Sequence, residues 1–156
     1  MKDLGSLTYF LGLEVHHSSS GISLTQHKYA SDVVSTAGLQ EATSVDTPME
    51  VNIKLRKENG DLLIDPSLYR KLVGSLVYLT ITRPGISFVV QQVNQFLQTP
   101  RHLHLTVVHR IIRYVHGTVA RGLFFPANNL PRLIAYSDAD WAGCADTLRS
   151  QDGVCS

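Results

Sequence analysis

The sequence predicts an α+β fold: an N-terminal β-hairpin with a short helix, a region of about three helices, and a second β-hairpin near the C-terminus. The first hairpin is indicated by the aromatic and branched residues of 9–16 and the alternating residues of 22–25, with a serine-rich turn between them. Apolar residues at helical spacing run through 66–116. Short apolar runs at 123–125 and 133–136 predict the two closing strands.

A short amphipathic helix is predicted directly after the first hairpin, because apolar residues recur there at the spacing of one helix face. These residues are Ala30, Val33, Val34 and Ala37. Thr25 is a suitable N-cap for this helix, and Gly38 is a suitable residue to end it. Residues 39–65 are rich in acids and lack periodicity, so they are predicted to form an extended linker with at most local order.

Three stronger helical patterns follow the linker. The first begins at Pro66, which suits the first turn of a helix, and its wide apolar stripe predicts a central helix that is buried on two sides. The stripe consists of Leu68, Tyr69, Leu72, Val73, Leu76, Val77 and Leu79. Gly74 lies in the same segment and is expected to let a neighbouring backbone approach closely.

The other two patterns are amphipathic. After Arg83, Pro84 and Gly85 interrupt the periodicity, one side of the second helix consists of Ile86, Val89, Val90, Val93, Phe96 and Leu97. The third helix runs from about Leu103 to His116, and its apolar face consists of Leu105, Val108, Ile112 and Val115. Its opposite face carries Thr106, His109, Arg110 and Arg113, and Gly117 is expected to end it.

The charged residues are segregated along the chain, although the formal net charge is only +1. Residues 66–137, here called the basic block, contain eight cations and no Asp or Glu. The cations are Arg70, Lys71, Arg83, Arg101, Arg110, Arg113, Arg121 and Arg132. Seven of the eight are arginines, which can pair bidentately with phosphate oxygens. The block can therefore hold a polyanion, and a solvated basic surface is the alternative.

Several classes of protein do not fit the sequence. No apolar stretch approaches the ~20 residues of a membrane span, and residues 1–5 resemble neither a secretory signal nor a transit peptide. Cys144 and Cys155 could staple only a short tail, so an intracellular setting is expected. His102 and His104 have no Cys partners, which disfavours a zinc site. Phosphate-loop, dinucleotide-binding and nucleophile-elbow motifs are missing from the sequence.

Asp138 is the sharpest local candidate for chemistry. It follows the apolar run 133–136, and a carboxylate at the end of a strand can ligate Mg²⁺. A single carboxylate does not make a metal site, because two-metal phosphodiester chemistry needs several that converge. A turn rich in Asp, with Asp140 beside Asp138, is the alternative on local spacing alone.

Several segments, in this order along the chain, resemble the copia-type LTR-retrotransposon polyprotein just after its polymerase active site. They are residues 1–5 (MKDLG), 9–15 (YFLGLEV), 26–30 (QHKYA), 69–79 (YRKLVGSLVYL), 82–84 (TRP) and 110–118 (RIIRYVHGT). Residues 136–144 (YSDADWAGC) resemble the opening strand of the ribonuclease H of that family. The resemblance covers nearly the whole chain.

This resemblance implies the C-terminal part of a reverse transcriptase that runs into the first strand of a ribonuclease H. Residues 1–38 would be the end of the palm and the start of the thumb, and residues 39–65 the linker. Residues 66–120 would form a helical thumb and connection region. Residues 121–156 would begin a truncated ribonuclease H-like domain, whose sheet would be incomplete.

The resemblance also implies roles for particular residues. Phe10, Leu11 and Gly12 would belong to a hairpin that grips the primer end of a primer–template duplex. Arg110 and Arg113 would also contact this duplex or an RNA/DNA hybrid. Asp138 would be the first of four carboxylates that hold two Mg²⁺ ions in the intact parent enzyme.

The sequence also departs from the pattern of the family. Gly85 stands where the family has Asp after Arg-Pro, and residues 148–154 interrupt an expected motif. The polymerase aspartates would lie before Met1, and the other nuclease carboxylates after Ser156. We therefore expect a catalytically inactive fragment without a cofactor of its own, which keeps weak duplex affinity through the basic block. A protein-interaction module that uses exposed apolar helix faces is the alternative.

Overall fold

The structure is a computed structural model that describes residues 5–58 and 60–128, and in this part of the chain it confirms the α+β class. One antiparallel sheet has the strand order β1-β2-β3-β4. The strands are β1 (Tyr9–Phe10), β2 (Leu13–Ser18), β3 (Gly21–Thr25) and β4 (Gly122–Pro126). The helices are α1 (His27–Thr36), α2 (Ser67–Leu79), α3 (Ser87–Asn94) and α4 (His102–Gly117), with a short 3₁₀ turn at Pro84–Ile86 before α3.

The N-terminal strand is divided where the sequence predicted one continuous strand over 9–16, so that expectation was wrong. Leu11 and Gly12 form a two-residue turn, because both have a positive φ, of 49° and 82°. Phe10 consequently pairs with Leu13 on the returning strand. The predicted hairpin between β2 and β3 is confirmed, with Ser18 paired to Gly21 at its turn.

Strand β4 forms over the predicted apolar run, but it joins the N-terminal sheet by pairing with β3. Leu123 lies opposite Leu24, and Gly122 lies opposite Thr25. A Cβ atom at Gly122 would overlap the carbonyl oxygen of Leu24, so the two backbones approach as closely as they do only with glycine at this position. The partner predicted for this strand, at 133–136, lies outside the described residues.

Helix α1 begins one residue later than predicted, with Gln26 rather than Thr25 at the cap position. Thr25 ends β3 instead, and its hydroxyl donates to the Glu14 carboxylate at 3.2 Å. Gln26 is fully buried and accepts a hydrogen bond from the Thr82 hydroxyl at 2.8 Å. The predicted ending is confirmed, because Gly38 follows the helix with φ of 68°.

Helix α2 is the central helix that the sequence predicted, since it packs against α1, α3 and α4. Its buried residues are Tyr69, Leu72, Val73, Leu76 and Leu79. Burial raises the pKa of the Tyr69 phenol, whose hydroxyl donates to the Val93 carbonyl oxygen at 2.6 Å. Two expectations about α2 were wrong: Leu68 and Val77 are exposed, and Gly74 faces open space rather than a neighbouring backbone.

The apolar face of α3 follows its predicted periodicity. The buried face of α4 is broader than predicted, because it also includes His104, Val107 and Ile111, whereas Leu105 is only partly buried. In and beside α3, the buried residues are Ile86, Val89, Val90, Val93 and Phe96. In α4 they are His104, Val107, Val108, Ile111, Ile112 and Val115. Ala30, Val33 and Val34 of α1 belong to the same hydrophobic cluster, so one core joins the first helix to the three that follow the linker.

Residues 39–65 have no helix or strand in their described part apart from an isolated bridge, yet they pack against the helical core. The bridge joins Leu62 to Arg101, and the Leu63 amide donates to the Pro100 carbonyl oxygen at 3.1 Å. Partly buried side chains of this segment contact the core: Leu39, Met49, Ile53, Leu55 and Leu63. The linker is therefore held along the helices by both backbone pairing and apolar contact.

The His104 ring is a buried structural element of α4. The Arg101 amide donates to its Nδ1 at 3.1 Å, so the proton of the neutral ring lies on Nε2, which donates to the Arg56 carbonyl oxygen at 2.9 Å. The ring also stacks on Phe96 with centroids 4.0 Å apart. Burial lowers the pKa of His104, and burial likewise lowers the pKa of His109.

We expect the free energy of unfolding to fall between about pH 7 and pH 5, because the unfolded chain takes up protons near the ordinary histidine pKa of about 6.5, before folded His104 does. The stabilisation that comes from neutral His104 is fully present above the unfolded pKa of about 6.5. It is lost as the pH falls towards the lowered pKa of the folded state. Urea unfolding at both pH values should show that the free energy of unfolding falls less with pH in His104→Asn than in the unmodified chain. The exposed His102, changed to Asn, is the control. Equal pH dependence in both variants would contradict the assignment.

Candidate nucleic-acid interface

The β1–β2 turn presents apolar side chains to solvent. Residues 10–12, here called the hairpin tip, follow Tyr9, and the side chains of Tyr9, Phe10 and Leu11 are 59%, 54% and 69% exposed. Aromatic rings at such positions can stack on bases, and this is a common mode of contact with a nucleic-acid end. The tip therefore has the chemistry that the resemblance to a primer-gripping hairpin implies.

Helix α2 holds the hairpin tip in place from behind. The Tyr78 hydroxyl donates to the Leu11 carbonyl oxygen, and a Cβ atom at Gly12 would lie 3.4 Å from the Tyr78 ring. Tyr78 in turn meets Tyr29 of α1 edge to face, with centroids 5.1 Å apart. The backbone of the tip is thus anchored while the side chains of Phe10 and Leu11 remain free. No sequence pattern indicates this anchor, because Tyr78 lies outside the predicted apolar stripe of α2 and its partner Leu11 belongs to a distant element.

Arg110 and Arg113 lie on α4 and both contact the linker segment 43–50. One terminal nitrogen of Arg110 pairs with the Glu50 carboxylate at 3.0 Å, and the other donates to the Thr47 hydroxyl at 3.0 Å. Arg113 donates from Nε to the Thr43 carbonyl oxygen at 2.7 Å. The structure therefore brings these two predicted residues together, and it covers part of their face with residues 43–50.

These contacts leave the two arginines with different electrostatic states. Glu50 compensates the charge of Arg110, whereas Arg113 donates to a neutral carbonyl and keeps its full charge. The carboxylate of Glu50 is 59% exposed, and ion pairs of this kind contribute only about 0–1 kcal/mol. A phosphate group could therefore replace Glu50 at Arg110 at small energetic cost. Both arginines line a cavity of about 260 Å³ between α4 and the linker.

Other arginines of the basic block also donate to neutral oxygens. Arg70 bonds the Leu97 carbonyl at 2.9 Å, Arg101 bonds the Gly60 carbonyl at 2.6 Å, and Arg121 bonds the Tyr114 hydroxyl at 3.2 Å. Such bonds orient a guanidinium without neutralising its charge. Within the described part of the block, Arg110 is the cation placed within 4.0 Å of a carboxylate. Hydrogen bonds from Ser67, and to a smaller extent the charge of Arg70, lower the pKa of Asp65, so Arg70 also interacts with an acid.

The predicted site residues are not all brought to one place. The hairpin tip contacts α2, whereas Arg110 and Arg113 contact residues 43–50. Asp138 lies outside the described residues, and its predicted roles as a catalytic carboxylate and Mg²⁺ ligand stay predictions. Across residues 5–58 and 60–128, no group of three or more His, Cys, Asp or Glu side chains is placed to hold a metal ion. In the same part of the chain, no helix has the length and apolar character to cross a membrane.

Comparison with known proteins identifies relatives over the whole chain. Residues 1–51 match the family described as reverse transcriptase (RNA-dependent DNA polymerase). The chain is 42% identical over 153 residues to the retrovirus-related Pol polyprotein from transposon RE1 of Arabidopsis thaliana, a match that covers 98% of this chain and 10% of that protein. No solved structure matches the chain.

Two mitochondrial proteins of Arabidopsis thaliana, both described as uncharacterized, are also similar. AtMg00810 is 38% identical over 156 residues, which is 100% of this chain and 65% of that protein. AtMg00240 is 45% identical over 80 residues, which is 51% of this chain and 72% of that protein. The chain thus spans about a tenth of the RE1 polyprotein and most of the shorter relatives. It belongs to the family of copia-type retrotransposon Pol polyproteins and is a fragment of such a polyprotein that includes part of its reverse transcriptase.

Proposed function

We propose that the chain binds an RNA/DNA hybrid or primer–template duplex weakly, through cations of the basic block and through the hairpin tip. The observation that carries this proposal is the bonding of the arginines of the block to neutral oxygens. Their side chains are positioned, but their charge remains available to neutralise phosphates and release counterions. Membership of a reverse-transcriptase polyprotein family supports a nucleic acid as the polyanion.

The hairpin tip would contribute apolar contact rather than charge. Phe10 and Leu11 are exposed on a backbone that Tyr78 anchors, so little backbone conformational entropy is lost when their side chains pack against a base or sugar. Gly12 allows the turn, because its φ of 82° is unfavourable for other residues. The tip would therefore act as a preorganised contact for the end of a primer strand.

Arg110 and Arg113 would contact phosphates once residues 43–50 of the linker move away from them. Arg113 can donate hydrogen bonds to a phosphate directly, since it has no carboxylate partner in the described structure. Arg110 must first exchange Glu50 for the phosphate. Glu50 would thereby weaken binding of any polyanion to this face of α4. This role makes Glu50 a useful position for mutation.

The proposal predicts a salt-dependent affinity that specific substitutions change. Fluorescence titration of an RNA/DNA hybrid at about 50 and 200 mM salt should show binding that weakens with salt. Arg113→Gln should reduce the slope of the logarithm of the binding constant against the logarithm of the salt concentration by about one, the value for one lost phosphate contact. Glu50→Gln should strengthen binding, and Phe10→Ser should weaken it at both salt concentrations.

The matched control is Lys57→Gln, which removes the same charge from the linker outside the basic block. If Lys57→Gln lowered the affinity for the hybrid as much as Arg113→Gln, the attraction would be nonspecific. If the unmodified chain did not bind the hybrid at low salt, the proposal would be contradicted. We further propose that Asp138 supplies one carboxylate to a Mg²⁺ site of the intact polyprotein and that this chain alone does not cleave the hybrid. Mg²⁺-dependent cleavage that Asp138→Asn abolishes would overturn that second statement.

A second candidate function is the binding of a protein partner. Phe88 is 69% exposed and Val51 is 99% exposed, and both line a cavity of about 480 Å³ between the linker and α3. Exposed apolar side chains beside a cavity are a common feature of protein-binding surfaces. Phe88→Ser would leave duplex affinity unchanged under the first proposal. A loss of duplex affinity in this variant would place the nucleic acid on α3 instead.

A further inference from the structure

Arg83 is a buried cation at the start of the 3₁₀ turn before α3. Its side chain belongs to a residue that is only 6% exposed, and its two terminal nitrogens donate to the Thr118 hydroxyl at 2.9 Å and the Val119 carbonyl oxygen at 2.8 Å. Both acceptors are neutral. Buried charges are normally paired with an opposite charge, and Arg83 has no carboxylate partner among the described residues.

A second cation stands beside Arg83. Arg121 is exposed, follows α4 and donates to the Tyr114 hydroxyl at 3.2 Å. Both arginines line a cavity of about 220 Å³, together with Gly85, Tyr114 and Thr118. The residues that line this cavity include no Asp or Glu.

The electrostatics of the cavity are unbalanced. Burial lowers the pKa of the Arg83 guanidinium, Tyr114 raises it, and repulsion by Arg121 lowers it further. The end of α4 compensates part of the charge of Arg83, because the C-terminus of a helix carries a partial negative charge of about one half. Among the described residues, no carboxylate lies within 4.0 Å of the exposed Arg121 guanidinium. An anion in the cavity would relieve the repulsion between the two cations.

We propose that this cavity is a binding site for a phosphate group. Arg121 has N–H groups beyond the one that bonds Tyr114, and guanidinium groups bind phosphate oxygens bidentately. The Tyr114 hydroxyl accepts that bond and retains its own proton to donate. Arg83 adds a fixed positive charge that its two hydrogen bonds hold at the wall of the cavity. The phosphate can belong to inorganic phosphate, a nucleotide or a nucleic-acid backbone, and the site does not depend on the duplex proposal.

Gly85 offers a direct way to change the charge of the cavity. A Cβ atom at this position meets no atom within 4 Å, and the φ of Gly85 is not in the left-handed region. A side chain can therefore be added without displacing a neighbour. Gly85→Asp places a carboxylate beside the two arginines, whereas Gly85→Asn adds a side chain of the same shape without the charge.

The experiment is calorimetric titration of the chain with inorganic phosphate at low ionic strength. Unmodified chain and Gly85→Asn are expected to bind with similar affinity, whereas Gly85→Asp and Arg121→Gln should each lose about tenfold or more, as expected when a charged partner of a phosphate is neutralised or removed. Thermal unfolding of each variant verifies the fold, and Arg121→Gln provides an independent arm because its side chain is exposed. No saturable phosphate binding, or equal binding by Gly85→Asp and Gly85→Asn, would overturn the proposal.

Titration of the same variants with the RNA/DNA hybrid identifies the source of the phosphate. A parallel loss of hybrid affinity in Gly85→Asp would assign the site to a backbone phosphate. Unchanged hybrid affinity with lost phosphate binding would assign it to a free phosphate or nucleotide. The effects of Arg113→Gln and Phe10→Ser on hybrid binding do not depend on this cavity, so failure of one proposal is distinguishable from failure of the other.

Discussion

Leu76→Ala is expected to lower the free energy of unfolding by about 2–5 kcal/mol, the range for removal of a fully buried leucine side chain. Leu76 is 0% exposed on α2, the helix that packs against α1, α3 and α4. Truncation leaves a cavity whose walls belong to several helices, so the structure can close it only by moving more than one of them. Urea unfolding followed by circular dichroism measures the change.

Val77→Ala is the matched control for Leu76→Ala, because it truncates the next residue of the same helix. Val77 is 44% exposed, so the change should stay within about 1 kcal/mol, less than removal of buried atoms costs. The sequence assigned both residues to one apolar stripe. Equal losses for the two variants would mean that α2 is rotated relative to the packing described above.

Gly122→Ala is expected to lower the free energy of unfolding by about 1–3 kcal/mol, as overpacking does. The added methyl group would overlap the Leu24 carbonyl oxygen, which is a backbone atom and cannot move away as a side chain would. The strands β3 and β4 must therefore separate at this point. Urea unfolding gives the loss of stability, and hydrogen exchange should show weaker protection in β4 than in the β2–β3 hairpin.

The control for Gly122→Ala is Gly74→Ala on α2. A Cβ atom at Gly74 meets nothing within 4 Å, so alanine should stabilise the helix by about 0.5–1 kcal/mol through its better helix propensity. The same substitution would thus change stability in opposite directions at the two glycines. A neutral or favourable Gly122→Ala would show that the close approach of β3 and β4 is not required.

Local patterns were sufficient to predict most of the secondary structure. The apolar face of α3 and part of that of α4 were predicted because each repeats at the helical period and packs on one side, as Val93 and Ile112 do. The prediction of the buried face of α2 was less accurate, since the apolar stripe extends over more of the helix circumference than the fold buries. Periodicity predicted that α2 is central but could not exclude Leu68 and Val77 from the core.

Features that depend on distant residues were not predictable from one sequence. Leu11 is not a usual turn residue, so its positive φ was unexpected, and the anchor from Tyr78 comes from another element. The pairing of β4 with β3 joins segments on either side of all four helices. Arg83 resembled any other cation of the basic block in the sequence, yet only the fold shows that it is buried.

The candidate interface shows the same division. The excess of positive charge was visible in the sequence, and so was the placement of Arg110 and Arg113 on one helix face. Their partners were not visible, because Thr43 and Glu50 lie in a segment without periodicity. The roles of residues 10–12 came from the resemblance to a known family, since local sequence alone predicted only a strand there.

The position of β4 beside β3 has a consequence for how the chain folds. The two strands are neighbours in the sheet, but α1, the linker and the three other helices lie between them in sequence. Pairing them first would close a very long loop before any packing of the helices offsets the lost chain entropy. We therefore expect the helices to assemble early and bring the two strands together, so that β4 adds to the sheet in a late and slow step.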